Sequence, residues 1–310
     1  MSWRVVDQVH VMGTVVSIDV RAATRPQVLD LALATAAVTL RRLDDLLSTW
    51  KPDSWASRLL DGRADVAEAP SAVREVHSLA LALEGSTGGW FAPRWRRGLD
   101  PGAPGGPDAT GLVKGWAAQR VSDLLRTHGL RDHVVNAAGD LVVSGSPLPE
   151  EPSQPWRVAV SDPAGRGSVV GVLRLTAGGR WAVATSGPAE RGPHVVDPRR
   201  GQLARAVVSA TAVLPLGAAH RDAGAETDAW ATAVVASDGD PVCLSAAAGR
   251  GVALVVLGAE GSVHDPHRLL GTGSPHSVDG AGGSAGPGAR QGAGSPPAKT
   301  TRSTPSRSRT

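Results

Sequence analysis

This sequence predicts an α+β fold, a central and mainly antiparallel β-sheet with flanking helices, on three observations. Apolar residues recur at helical spacing chiefly in the first half, valine-rich strand patterns dominate from His133 onward, and the two do not alternate as parallel βαβ units would. After about residue 270 the composition turns to Gly, Ser, Pro and Arg with almost no aliphatics. The chain thus divides into a folded domain over 1–270 and a tail over 271–310 expected to be disordered.

Residues 10–20, HVMGTVVSIDV, alternate so that Met12, Val16, Ile18 and Val20 share a face, which predicts one strand interrupted at Gly13 by a bulge or a close approach. A helix then opens at Thr24, with Gln27 completing a capping box and Leu29, Leu33, Ala36, Leu40, Leu43 and Leu47 forming its apolar stripe. A second helix is expected over 71–84, stopped by Gly85, and a third from about 114 to 128, stopped by Gly129. HVVNAAGDLVVSG, WRVAVS, VVGVLRL, WAVATS, VVSATAVL and GVALVVLG read as short strands, and an Ala-rich stretch over 226–237 between the last two as helical. Residues 101–107 and 147–155 are Gly/Pro-rich loops.

At 310 residues and 41% hydrophobic, the chain can bury one large core. Its net charge of +3 owes much to Arg290, Lys299, Arg302, Arg307 and Arg309 beyond Ser274, so the folded part is close to neutral and no nucleic-acid partner is expected. Cys243 is the only cysteine, which rules out an intrachain disulfide or a cysteine zinc site and reads as a small buried residue. The start offers no signal-peptide stretch and no lipoprotein cysteine, and no segment approaches membrane-spanning length. A cytoplasmic protein without stable membrane insertion is the expectation. With nine tryptophans, one phenylalanine and no tyrosine, an aromatic contact in a site falls to tryptophan.

Four segments can carry chemistry. Residues 108–115, DATGLVKG, join a loop to a helix start, where free N–H groups, glycines and Lys114 suit a phosphate; the spacing is not that of a Walker loop. Residues 136–140, NAAGD, place Asn136, Gly139 and Asp140 inside a valine-rich pattern, either as a strand passing a ligand or as a hairpin corner. Thr185, Ser186 and Gly187 offer hydroxyls to a polar cofactor, and His194, ahead of Asp197-Pro198, reads either as a proton acceptor or as a structural strand-edge histidine. Asp228 and Thr232, four apart, share one helix face and supply two hard oxygen ligands of the kind magnesium prefers, although such pairs also occur on solvated faces.

In their order these segments resemble the ApbE family of FAD:protein FMN transferases. Its Met-Gly-Thr strand is matched by Met12, Gly13 and Thr14; its Ser-Thr-aromatic and Pro-Asp-Ser turn by Ser48, Thr49, Trp50, Pro52, Asp53 and Ser54; part of its Gly-x-Phe-Asp-Pro by Gly89, Phe91 and Pro93. Its Gly-x-x-Lys-Gly is matched by Gly111, Lys114 and Gly115, its Val-Asn-Ala-Gly-Gly-Asp by Val135, Asn136, Ala137, Gly139 and Asp140, and its Ala-Thr-Ser-Gly by 184–187. His-x-x-Asp-Pro is matched by His194, Asp197 and Pro198, and Asp-Ala-x-Ala-Thr-Ala by Asp228, Ala229, Ala231, Thr232 and Ala233. The matches span roughly residues 9–257.

The resemblance implies a flavin cleft between lobes and a magnesium-dependent transfer of FMN from FAD to a threonine or serine of an acceptor flavoprotein, with AMP released. It implies that magnesium is held by Val113 through its carbonyl, with Asp228 and Thr232, and that FAD, the substrate, is held by Met12, Gly13, Trp50, Lys114, Asn136, Gly139, Asp140, Thr185, Ser186, Gly187, His194 and Asp197. His194 and Asp228 are the implied catalytic pair, His194 as general base. Three positions depart from the pattern: Ala92 replaces an aspartate, Ala138 a glycine and Gln119 an aspartate. A metal-dependent FAD pyrophosphatase and a non-catalytic FAD-binding relative are the alternatives.

Overall fold

The structure, a computed structural model, describes residues 3–22, 25–96, 106–165, 167–188, 192 and 194–271. Thr24, most of the 101–107 loop and the tail from residue 272 lie outside the described residues.

The predicted α+β class holds. Eight strands form one antiparallel sheet in the order β1 (Trp3–Val11), β2 (Thr14–Ala22), β3 (Asp132–Ala137), β4 (Asp140–Ser144), β7 (Arg180–Ser186), β10 (Val207–Pro215), β11 (Ala253–Gly258) and β12 (Val263–His264). A ribbon of β5 (Trp156–Ser161) and β6 (Val169–Leu175) and a two-residue pair, β8 (Val196–Asp197) with β9 (Gln202–Leu203), stand apart from it. Helices α1 (Pro26–Leu47), α4 (Thr110–Thr127) and α5 (Ala223–Ala236) cover one face of the sheet. Short α2 (Trp55–Leu60), α3 (Ser71–Ser86) and α6 (Pro241–Gly249) pack around them.

Period-2 alternation gives the sheet two apolar faces. Val16, Ile18 and Val20 of β2, Val135 of β3 and Val142 of β4 point to the helices, where Leu40, Leu112, Val121 and Leu125 meet them. Small residues at Ala182, Ala210 and Ala212 leave room for α5. On the opposite face Val143, Val183, Val213 and Leu257 pack under Trp156, Val160, Leu173 and Leu175 of the ribbon. The result is three layers, helices, sheet and ribbon.

Four expectations need correction. The first helix begins at Pro26 with Arg25 at its N-cap position and no side-chain cap, so Gln27 closes no capping box. Residues 10–20 are the end of β1 and most of β2, joined by a Met12–Gly13 turn whose φ angles are 54° and 69°. The signal was a change of phase: the buried set runs on odd numbers through Val9 and Val11 and on even numbers from Val16, as a two-residue hairpin requires. The third helix starts at Thr110, one turn before Lys114, with non-helical angles at Gly111. The second runs through Gly85 to Ser86, and Thr87 ends it by donating from its hydroxyl to the Leu83 carbonyl and accepting from Phe91 N–H. The helix expected over 226–237 is α5, which begins three residues earlier. Unpredicted α2 and α6 have ordinary starts: Ser54 accepts from Ser57 N–H at 3.0 Å, and Asp240, before Pro241, from Val242 N–H at 2.8 Å.

Candidate active site

Helices α4 and α5 cross so closely that no side chain fits between them at two points. A Cβ at Gly115 would collide with the Gly224 carbonyl, and a Cβ at Gly224 with that of Gly115. Along this seam residues four apart face one another in antiparallel order: Gly111 lies against Thr232, Gly115 against Asp228, and Gln119 against Gly224. The two glycines let the helix carrying Lys114 approach the helix carrying Asp228.

The charges brought together there are unbalanced. Lys114 Nζ ion-pairs with Asp140, at the start of β4, and stands 3.9 Å from Asp228 Oδ2, which also accepts from Gly115 N–H at 3.3 Å. Asp140 is 1% exposed, and burial, then the nearby Asp228 charge, push its pKa up to about 7 against the opposing pull of Lys114. Its Oδ1 is buried without a hydrogen-bond partner. Beside this group the hydroxyls of Ser186 and Thr232 are 3.0 Å apart and those of Thr185 and Thr211 2.9 Å apart.

These groups border a cleft of ≈ 1130 Å³ lying against the ribbon side of the sheet. Lys114, Asn136, Gly139, Thr185, Ser186, Gly187, His194, Asp228 and Thr232, all expected at a site, line it. Asn136 and Gly139 belong to the hairpin corner between β3 and β4, where Asn136 Oδ1 accepts from Gly139 N–H at 2.9 Å; both readings of that segment hold, because the corner faces the cleft. His194 is exposed, and its Nδ1 lies 2.7 Å from the Gly192 carbonyl. A carbonyl only accepts, so Nδ1 is the donor in that contact, and in the neutral ring the lone pair then lies on Nε2.

The remaining expected residues lie off the cleft wall. Asp140 is behind Lys114, and Val113 is buried on α4. Asp197 shapes the β8–β9 turn, accepting from Arg199 N–H at 2.8 Å and Arg200 N–H at 3.3 Å. Met12, Gly13 and Trp50 gather at the β1–β2 tip, with the Trp50 indole against Gly13 and Asp44 Oδ1 accepting from Met12 N–H at 2.8 Å. Register places this tip at the same end of the sheet as the Ala138–Gly139 corner, since Val16 pairs with Ala137. Trp50 is 78% exposed, an uncommon position for a large aromatic ring.

Asp228 and Thr232 suit a hard divalent cation: a carboxylate and a hydroxyl on one helix face, beside a buried carboxylate oxygen that lacks a donor. Among the described residues no group of three or more His, Cys, Asp or Glu forms a metal site, so such an ion would draw further ligands from hydroxyls, carbonyls and bound phosphate.

Comparison with known proteins locates this arrangement. The sequence profile of the ApbE family matches residues 106–251, from the loop before α4 to the turn after α6. The chain is 37% identical over 135 residues to an FAD:protein FMN transferase of Rhodobacter capsulatus, covering 41% of this chain and 23% of that protein. It is 29% identical over 114 residues to one of Vibrio cholerae, covering 34% and 32%. The chain thus spans between about a quarter and a third of the curated relatives it matches. The fold likeness is wider: the ApbE protein of Thermotoga maritima superposes with a TM-score of 0.71 at 20% identity, covering 86% of this chain and 97% of that one. The flavin transferase ApbE of Vibrio cholerae superposes at 0.69 and 18%, covering 86% and 97%.

The three departures from the ApbE pattern have distinct settings. Ala92 presents a methyl to the cleft; Asp108, also on the wall, accepts from Thr110 N–H and hydroxyl and from Arg96. Ala138 takes the left-handed φ of 54° that a glycine would adopt without strain. Gln119 is buried in the seam, its Nε2 donating to the Arg221 carbonyl at 2.6 Å and its Oε1 accepting from Gly224 N–H at 2.9 Å. Sequence reasoning missed Thr211, the cleft-facing ribbon and the Gln119 clamp. Only the polar Thr211 in the valine-rich β10 pattern gave a signal.

Proposed function

We propose that this protein transfers FMN from FAD to a threonine or serine hydroxyl of an acceptor flavoprotein, with magnesium bound and AMP as the leaving group. The observation that carries this reading is the joining of Lys114, Asp228 and Thr232 across the α4–α5 seam at one wall of a dinucleotide-sized cleft. Its agreement with the names of the curated relatives supports it further.

The ammonium of Lys114 and the N–H groups at the start of α4 draw the FAD pyrophosphate to that wall. Asp228 and Thr232 would hold magnesium, with the Val113 carbonyl a third ligand implied by the family pattern; when bound, magnesium neutralises pyrophosphate charge. Asn136, Thr185, Ser186 and the Gly187 backbone orient the flavin half from the sheet side, and Met12 with Trp50 offers an apolar surface at the hairpin tip. His194 Nε2 takes the proton of the acceptor hydroxyl as its oxygen bonds to the FMN phosphorus. The bond from that phosphorus to the bridging oxygen then breaks, and the electron pair leaves with AMP.

The test is incubation of the protein with FAD, with and without magnesium and a candidate acceptor domain, following AMP and acceptor mass. Magnesium-dependent AMP with an FMN-sized mass gain is the expected result. AMP with free FMN and no mass gain under any acceptor would instead establish a pyrophosphatase, and flavin binding without AMP a carrier.

A further inference from the structure

Gln119 stands where the ApbE pattern has an aspartate, and its surroundings give that difference a use. The seam between α4 and α5 is lined by glycines at 111, 115 and 224, so it offers few interlocking side chains of its own to set the axial register. Small-residue seams provide close approach but few interlocking side chains. At the seam's far end Gln119, 7% exposed, grips the start of α5 from both sides: its amide nitrogen donates to the Arg221 carbonyl and its amide oxygen accepts from Gly224 N–H. An aspartate could accept but not donate, and its shorter side chain would reach less far. Asp228 and Thr232 lie one and two turns along α5 from Gly224, on the same face.

We infer that Gln119 is a positioning residue that locks the axial register of α5 against α4, and through it the height of the Asp228 carboxylate and Thr232 hydroxyl in the cleft. The inference rests on the reading of Asp228 and Thr232 as metal ligands. A register slip of a fraction of a turn would carry Asp228 away from Gly115 N–H and Lys114, and Thr232 away from Ser186, while leaving the Asn136 side of the cleft in place.

The test uses Mn2+ as a paramagnetic probe on the full-length protein with FAD bound, comparing wild type, Gln119→Met and Gln119→Glu, with Asp228→Ala as control. Gln119→Met removes both bonds at similar volume and should weaken Mn2+ binding about 10-fold, with FAD affinity in EDTA within about twofold of wild type. Gln119→Glu keeps an acceptor for Gly224 N–H and should lose less, a partial rescue that a purely packing role would not produce. Equal Mn2+ affinity in wild type and Gln119→Met, or a parallel fall in metal and flavin affinity tracking the melting temperature, overturns the inference. If Gln119→Met does not fold, Gln119→Glu with wild-type metal affinity does the same. If wild type and Asp228→Ala bind Mn2+ equally, the metal reading itself fails and the inference with it.

Discussion

Helix α4 carries a buried polar cluster at each end, and only one has the makings of a site. At its second half Ser122, His133 and Ser144 are fully buried, and their bonds form a nearly complete circuit. Arg180 donates to Ser122 Oγ at 3.0 Å and Asp123 at 2.6 Å, Ser122 lies 2.8 Å from His133 Nε2, His133 Nδ1 lies 2.9 Å from the Leu130 carbonyl, and Arg126 donates to Ser144 at 3.0 Å. At the first half Lys114 faces two carboxylates, one of them with a buried oxygen lacking a donor, and the group borders the cleft. Arg180 Nε and, at the C-cap of α4, His128 Nε2 are also without hydrogen-bond partners, but neither residue lines the cleft. Burial of polar groups is thus common to both ends; unfinished pairing beside a cavity is what distinguishes the first.

Substitutions should separate the two ends. The largest effect is expected from Asp228→Ala, which should lower FMN transfer at least about 100-fold and abolish its response to magnesium while flavin binding persists; steady-state AMP release checks this. At the other end the signature is stability. Burial, aided by the Arg180 and Arg126 charges, lowers the His133 pKa to about 3, below its unfolded value of 6.5. Between those values the unfolded chain takes up the proton and the folded one does not, so this contribution is complete above about pH 6.5 and is lost as pH falls. Stability of wild type should drop by about 2 kcal/mol from pH 7 to pH 5 through this group alone. In His133→Gln that portion of the slope should vanish in urea titrations, with the proposed AMP release by the folded protein unchanged.

Two smaller effects concern the hairpin tips. Trp50→Ala should weaken flavin binding about 5-fold, read by fluorescence quenching, without moving the melting temperature, because the ring is already largely solvated. Ala138→Gly relieves a left-handed φ and should raise the melting temperature by about 2–4 °C, from roughly 1 kcal/mol. A fall would show instead that the Ala138 methyl makes a contact worth more than the strain.

Legibility in the sequence followed the range of each interaction. Local signals placed α1, α3, α5, the valine strands and the individual site segments, since each rests on periodicity or on neighbours in the chain. The Met12–Gly13 hairpin was also local, but it was written as a phase change between Val11 and Val16 that the continuous alternation of 10–20 concealed. Ordered motifs brought Lys114, Asn136, Ser186 and Asp228 into one set, and the fold lines one cleft with them. What remained unreadable depends on contacts between distant segments: the Gly115–Gly224 crossing, the Gln119 clamp 105 residues from Gly224, and the ribbon that roofs the cleft. Asp197 illustrates the converse, a motif residue whose role in the fold is to shape a turn.

The most direct test of the contrast between the two ends of α4 is FAD-dependent AMP release, measured with magnesium and an acceptor domain, in wild type, Asp228→Ala and His133→Gln at a pH and temperature where all three are folded. Wild type and His133→Gln should release AMP at the same rate and Asp228→Ala almost none. Equal losses in the two variants, or undiminished release by Asp228→Ala, would contradict the assignment of the chemistry to the Lys114–Asp228 end.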